Sequence, residues 1–178
     1  SEVDEVVDRS RKTVKKMIDD VREVLERSRK NVKEDIERVR KVVRESEETV
    51  KTARRLKEEG ADDREIKRLI DEDRERLRKV LKESEDNLRE NKRENDDMRR
   101  RIEKLKRDDE RRLDRVEEEG VDEEVLRRVR EVTERATREV EELLKRSDEE
   151  SERALKTSTD VLREVLERSD KVEEEVKT

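Results

Sequence analysis

The chain has 178 residues, of which 61% are Asp, Glu, Lys or Arg and 26% are apolar, with no aromatic residue, histidine, cysteine or proline. That composition excludes disulfides, thiolate chemistry, an imidazole base and the ordinary zinc sites. The 57 acids nearly balance the 51 bases, leaving a net charge of −6, so no single-sign excess keeps the chain expanded.

The first predicted helix runs over about residues 2–59. In it, Val3, Val6, Val7, Ser10, Thr13 and Val14 are followed by Val21, Val24, Leu25, Ser28, Asn31 and Val32. Val39, Val42, Val43, Ser46, Thr49 and Val50 complete the series. The interval is eighteen residues, five turns at ~3.6 residues per turn, which predicts nearly straight helices. Ser10, Ser28 and Ser46 fall inside the apolar stripe.

Gly60 and Gly120 are the only glycines. In "KEEGADDREI", Gly60 suits the left-handed residue after a helix end, Asp62 an N-cap and Glu65 the reciprocal capping-box position. Ala61 and Ile66 suit a hydrophobic staple. "EEEGVDEEVL" repeats the pattern with Gly120, Asp122, and Val121 against Leu126. The expected helices are therefore about 2–59, 62–119 and 122–177, each ~85 Å long at ~1.5 Å per residue. Connections this short predict an all-α, antiparallel up-down-up three-helix bundle, read as a single domain over 1–178.

The second helix carries Asp73, Asn91 and Asp109 at the eighteen-residue interval, and the third carries Thr133, Ser151 and Ser169. In an antiparallel arrangement, facing residue numbers have a constant sum. Ser10 then meets Asp109 and Thr133, Ser28 meets Asn91 and Ser151, and Ser46 meets Asp73 and Ser169. Buried polar groups need partners, so each set predicts a hydrogen-bonded layer reaching all three helices. The stretch "EDNLRENKRENDD" concentrates the question. Asn91 reads as core, with Ser28, Asn31 and Ser151 around it, whereas Asn87 reads as a solvated edge. Asn95 is expected near Ser147, and Ser84 near Asp35 and Ser158, as part of a larger polar network in the middle third. That third is expected to be the least protected part away from the ends.

These capped, proline-free helices with matched polar layers resemble de novo designed helical bundles with modular buried hydrogen-bond networks. The residue sets that carry the resemblance are Ser10, Asp109, Thr133; Ser28, Asn91, Ser151; and Ser46, Asp73, Ser169. The resemblance implies a structural scaffold made to test specificity, with no natural activity.

The residues themselves point the same way. Asp73 and Asp109 lie ~54 Å apart along one helix and cannot share a substrate. A di-metal site of the ferritin type needs inward Glu and His, and the inward positions here are Val, Leu, Ser and Asn. No catalytic, cofactor-binding or metal-binding residue is expected, and no cofactor. Basic runs such as "RRRIEKLKR" are interleaved with acids and lack aromatics for stacking, so no nucleic-acid partner is expected. No apolar run approaches the ~20 residues of a membrane span, and "SEVDEVVDRS" is not a signal peptide. A monomer needing no partner is expected. The alternative is a self-assembling or partner-binding bundle, including a homo-oligomer, that uses the same polar layers to set pairing between chains.

Overall fold

A computed structural model describes residues 1–177; Thr178, the last residue of the expected domain, lies outside them. The described chain is a three-helix bundle of α1 (Glu2–Glu58), α2 (Asp63–Glu118) and α3 (Glu123–Lys177). Each boundary falls within one residue of the sequence expectation. No strand interrupts the helices among the described residues.

The glycines end the helices for the predicted reason. Gly60 and Gly120 have φ of 78° and 94°, a region that an L side chain enters only with strain. At the first turn, Gly60 N–H donates to the Lys57 carbonyl at 3.2 Å and Ala61 N–H to the Leu56 carbonyl at 2.9 Å. The second turn repeats this with Gly120 to Glu117 and Val121 to Val116, both at 3.1 Å. This crossed pair of bonds satisfies carbonyls that the helix end leaves open.

Asp62 Oδ1 accepts from the Arg64 amide at 3.1 Å and Asp122 Oδ1 from the Glu124 amide at 2.9 Å, starting the next helix in each case. The Glu65 side chain makes no return bond to Asp62 among the described residues, so the capping box is only half formed. Ala61 packs on the cluster that contains Ile66, and Val121 shares a cluster with Leu126, as a staple requires. The acids before the glycines oppose the helix dipole, but two of them hold cations: Glu59 lies 3.9 Å from Arg55 and Glu117 lies 2.9 Å from Arg130.

All three helices pass through two compact units. One comprises Ser1–Arg29 and Asn91–Glu150, including the Gly120 turn; the other comprises Lys30–Glu90 and the chain from Ser151 on, including the Gly60 turn. In the first unit, Ser10 meets Asp109 and Ser28 meets Asn91, so α1 ascends as α2 descends. In the second, Asn31 meets Asn87 and Ser46 meets Asp73, with the same sense.

Each unit has two apolar clusters. The Gly120 unit holds Val6, Leu113, Leu126 and Val129 in one, and Met17, Val21, Ile102 and Val140 in the other. Ser10, Asp109 and Thr133 are buried between them in sequence on every helix. The Gly60 unit holds Val50, Ile70 and Val172 in one cluster and Val42, Leu77 and Val165 in the other. There Ser46, Asp73 and Ser169 form the buried interruption.

Candidate functional site: the buried polar layers

The layer at Asp109 is built by α1 and α2. Asp109 is 3% exposed, and both of its carboxylate oxygens accept from the Ser10 hydroxyl at 3.3 Å. Arg112, three residues further along α2, donates through Nη2 to Asp109 Oδ1 at 2.5 Å and to Ser10 Oγ at 2.6 Å. Its Nη1 reaches the Val6 carbonyl at 3.5 Å. The guanidinium thus bridges to α1 while its stem covers the apolar edge. Thr133, expected to complete the layer from α3, does not. Its Oγ1 is buried without a partner, and Arg112 stands in its place beside Asp109 and Ser10.

The Asp73 layer follows the same rule. Asp73 is 1% exposed; Oδ2 accepts from Ser46 Oγ at 2.8 Å and Oδ1 from Arg76 Nη2 at 3.4 Å. Arg76 Nη2 also donates to Thr49 Oγ1 at 3.1 Å. Ser169 is buried at the expected height, yet it makes no hydrogen bond to Asp73 among the described residues. In both layers the expected third-helix hydroxyl is replaced by an arginine of the carboxylate's own helix.

That arginine is the feature missed from sequence, and its signal was available. Asp35, Asp73 and Asp109 are all buried, and each has an arginine three residues later: Arg38, Arg76 and Arg112. This spacing puts the cation beside the acid on one helix face. At Asp35 the arrangement is looser: Oδ2 accepts from Ser158 at 2.7 Å, but Arg38 stands 4.0 Å from Oδ1, which has no hydrogen bond. Ser84, expected beside this pair, is fully buried and its hydroxyl is unpaired.

Asn91 and Asn95 are both fully buried, as the stripe predicts. The Asn91 amide donates to the Ser28 backbone carbonyl at 3.2 Å, leaving the Ser28 hydroxyl unpaired. Asn95 Nδ2 donates to Ser147 Oγ at 3.3 Å, the predicted neighbour, and to Asp148 Oδ1 at 2.8 Å, which was not foreseen. Its Oδ1 remains without a partner. Asn87 differs from its solvated assignment: it is half-buried and donates to the Asn31 carbonyl at 2.8 Å.

Around Asn95 the surface is charged. Arg99 bonds Asp148 and also donates to Asp96 at 2.7 Å, while Lys92 reaches Asp96 at 3.2 Å and Asp148 at 3.4 Å. The bond from Asp96 raises the Lys92 ammonium above its usual range, against some desolvation and with help from Asp148. Burial pushes the Asp96 carboxyl up, but Lys92 and Arg99 together outweigh it and hold it below the usual range. Arg99 is likewise raised, desolvation being outweighed by Asp148 and Asp96. Arg130 in the same unit is raised first by its bond to Glu117, then by Asp114.

The chemistry available to these sites is hydrogen bonding and ion pairing. Among the described residues no cluster of three or more acids is arranged to hold a metal ion, and no helix is long and apolar enough to cross a membrane.

Comparison with known proteins sets the frame. No protein-family model matches the chain, and no curated protein does. Among solved structures, the chain is similar to a computationally designed three helix bundle. The TM-score is 0.58 at 18% identity, over 98% of this chain and 88% of that one. The resemblance to designed helical bundles is therefore a likeness of fold along nearly the whole chain.

Proposed function

We propose that the chain is a designed structural scaffold, one continuous bundle without enzymatic activity of its own, whose buried polar layers specify helix register. The observation that carries this reading is the pairing of Asp109 with Ser10 and Arg112, and of Asp73 with Ser46 and Arg76. A shifted register would bury each carboxylate against valine or leucine, at a cost of several kcal/mol. Correct pairing adds little net stability, so the layers act mainly against wrong alignments. The likeness of fold to a designed bundle supports the same reading.

The test replaces the layers with apolar residues: Asp73→Leu and Asp109→Leu together with Ser10→Val and Ser46→Val. Helix content and stability should hold or rise, while one species of 21.6 kDa in sedimentation gives way to a mixture. A variant that remains one well-ordered species, with unchanged methyl NMR contacts, would show that the layers do not set register. The second reading, a bundle that assembles with copies of itself, predicts a multiple of that mass for the unaltered chain.

A further inference from the structure

Beyond a scaffold role, the Gly120 unit carries a groove that its own side chains do not fill. It lies between α1 and α3, with a volume of about 700 Å³, within the range of small-molecule sites. Its walls are aliphatic: Val3, Val7, Val14 and Ile18 from α1, Val125 and Val132 from α3. Val132 is 56% exposed, the most exposed large apolar residue of the described chain. The rim is strongly one-sided in charge. Arg11, Lys15, Arg22 and Arg128 line it against a single acid, Asp19. Arg128 pairs with Glu124 at 3.2 Å, but Arg11, Lys15 and Arg22 are exposed and have no ion pair among the described residues.

We propose that this groove binds a medium-chain fatty carboxylate, with the alkyl chain against the valines and the carboxylate among the α1 cations. Charge complementarity selects an anion over a cation or a neutral amphiphile. Size selects a small ligand over a protein. Val3, Val7, Val14, Ile18 and Val125 are already half-buried, leaving far less apolar surface than the ~1,000 Å² a stable protein interface requires. The two walls run side by side over Val125–Thr133 of α3, ~12 Å at ~1.5 Å per residue. A saturated chain of about ten carbons matches that length. Of the two hydroxyls that line the floor, that of Ser10 is already engaged by Asp109 and Arg112, while that of Thr133 is buried and unpaired.

Decanoate, below its aggregation concentration, is the probe, titrated into the full chain and followed through valine and isoleucine methyl NMR. The expected result is saturable one-to-one binding, with shifts at Val3, Val7, Val14 and Val132. Decyltrimethylammonium should bind at least tenfold more weakly. Shortening the chain by one methylene should weaken binding by up to about fourfold. Arg11→Glu with Lys15→Glu should lower decanoate affinity at least tenfold, and raising salt should do the same more gently. Both sites are exposed, so the fold should survive; Val132→Glu, also exposed, is the second variant and should weaken binding comparably. Equal binding of anion and cation, insensitivity to both variants, or shifts confined to the Gly60 unit would each overturn the proposal. So would an acidic amphipathic peptide that displaces decanoate and binds far more tightly, because the occupant would then be a helix.

Discussion

Two buried polar regions of the Gly120 unit are solved differently. At Asp109 every carboxylate oxygen has a donor, and one of the donors is an arginine that also bonds the neighbouring serine. At Asn91 and Asn95, four to five turns away on the same helix, the amide nitrogens are bonded, but Ser28 Oγ and Asn95 Oδ1 are not. The difference follows from what each group demands. A buried charge left unpaired costs far more than a buried amide, so the carboxylate is tolerated only where a cation can reach it. A neutral hydroxyl or amide oxygen costs only ~1–3 kcal/mol when orphaned, little enough for a long helix to absorb.

The largest expected effect is therefore at an arginine, not at a serine. Arg112→Met keeps much of the stem that covers the core edge but removes the guanidinium from Asp109 and Ser10. It should destabilise by about 2–4 kcal/mol in a denaturant titration, approaching the scale of a broken buried pair. Arg38→Met tests the contrast in the other unit. Arg38 stands 4.0 Å from Asp35 and makes no hydrogen bond to it, so its loss should cost less than the loss of Arg112. Equal losses at the two sites would mean that the short contacts at Arg112 contribute nothing special.

Next in size is the amide. Asn91→Ala should cost roughly 1–3 kcal/mol, because a fully buried side chain and its bond across to α1 are lost together. Asn91→Leu with Ser28→Val should restore or exceed the starting stability, since the polar groups leave together. The gain should come with a looser choice of register and oligomer state, readable as heterogeneity in sedimentation. A neutral Asn91→Ala would mean that the bond to Ser28 adds nothing.

How much of this was legible beforehand depended on the kind of constraint. Gly60 and Gly120 marked the helix ends to within one residue, because only a left-handed residue closes the crossed carbonyl bonds. The burial of Asp73, Asn91 and Asp109 was legible because an eighteen-residue interval leaves a side chain at one angle on a straight helix. The partners were less so. Arg76 and Arg112 sit at the stripe's edge, where a long cation looks like a solvated face, yet such a side chain can lay its stem along the core and turn its head inward. Thr133 and Ser169 were assigned as partners from height alone. Height does not say which of several donors near a carboxylate gets there, and an arginine on the same helix is tethered closer. Asp148 was missed for a related reason: it flanks Ser147, and only side-chain reach brings it to Asn95.

The orphaned hydroxyls give smaller effects of opposite sign. Ser84 Oγ is fully buried and unpaired, so Ser84→Ala removes a desolvated hydroxyl and leaves only the small methyl side chain. The variant should be neutral or more stable by up to about 1 kcal/mol. Thr133→Val should behave alike, since its Oγ1 is unpaired; Thr137 donates to the Thr133 backbone carbonyl, at 2.8 Å, which the substitution keeps. Ser10→Ala removes a bonded hydroxyl and should destabilise instead. Loss of stability at all three would mean that the two unpaired hydroxyls have partners after all.

The smallest effect separates the surface ion pairs beside Asn95 from the buried pair at Asp109. Asp96 is held below its ordinary value of 3.8, so its contribution is complete above that pH and is lost as the pH falls through the lowered value. Lys92 is raised above 10.5, so its contribution is complete below that pH and is lost as the pH rises through the raised value. Both side chains are substantially exposed, 40% and 53%, and solvent screens their pairing. Each should therefore contribute only roughly 0.2–0.5 kcal/mol, the scale of an exposed pair. Asp96→Asn should flatten the acid limb of stability below pH 3.8 slightly and leave neutral pH almost unchanged. Because the pairs are screened, 1 M salt should erase the difference between Asp96→Asn and the parent. The loss in Arg112→Met, made inside the bundle, should survive the same salt. If salt abolished both differences alike, the Asp109 pair would be behaving as a surface contact, and its contrast with the charged rim would disappear.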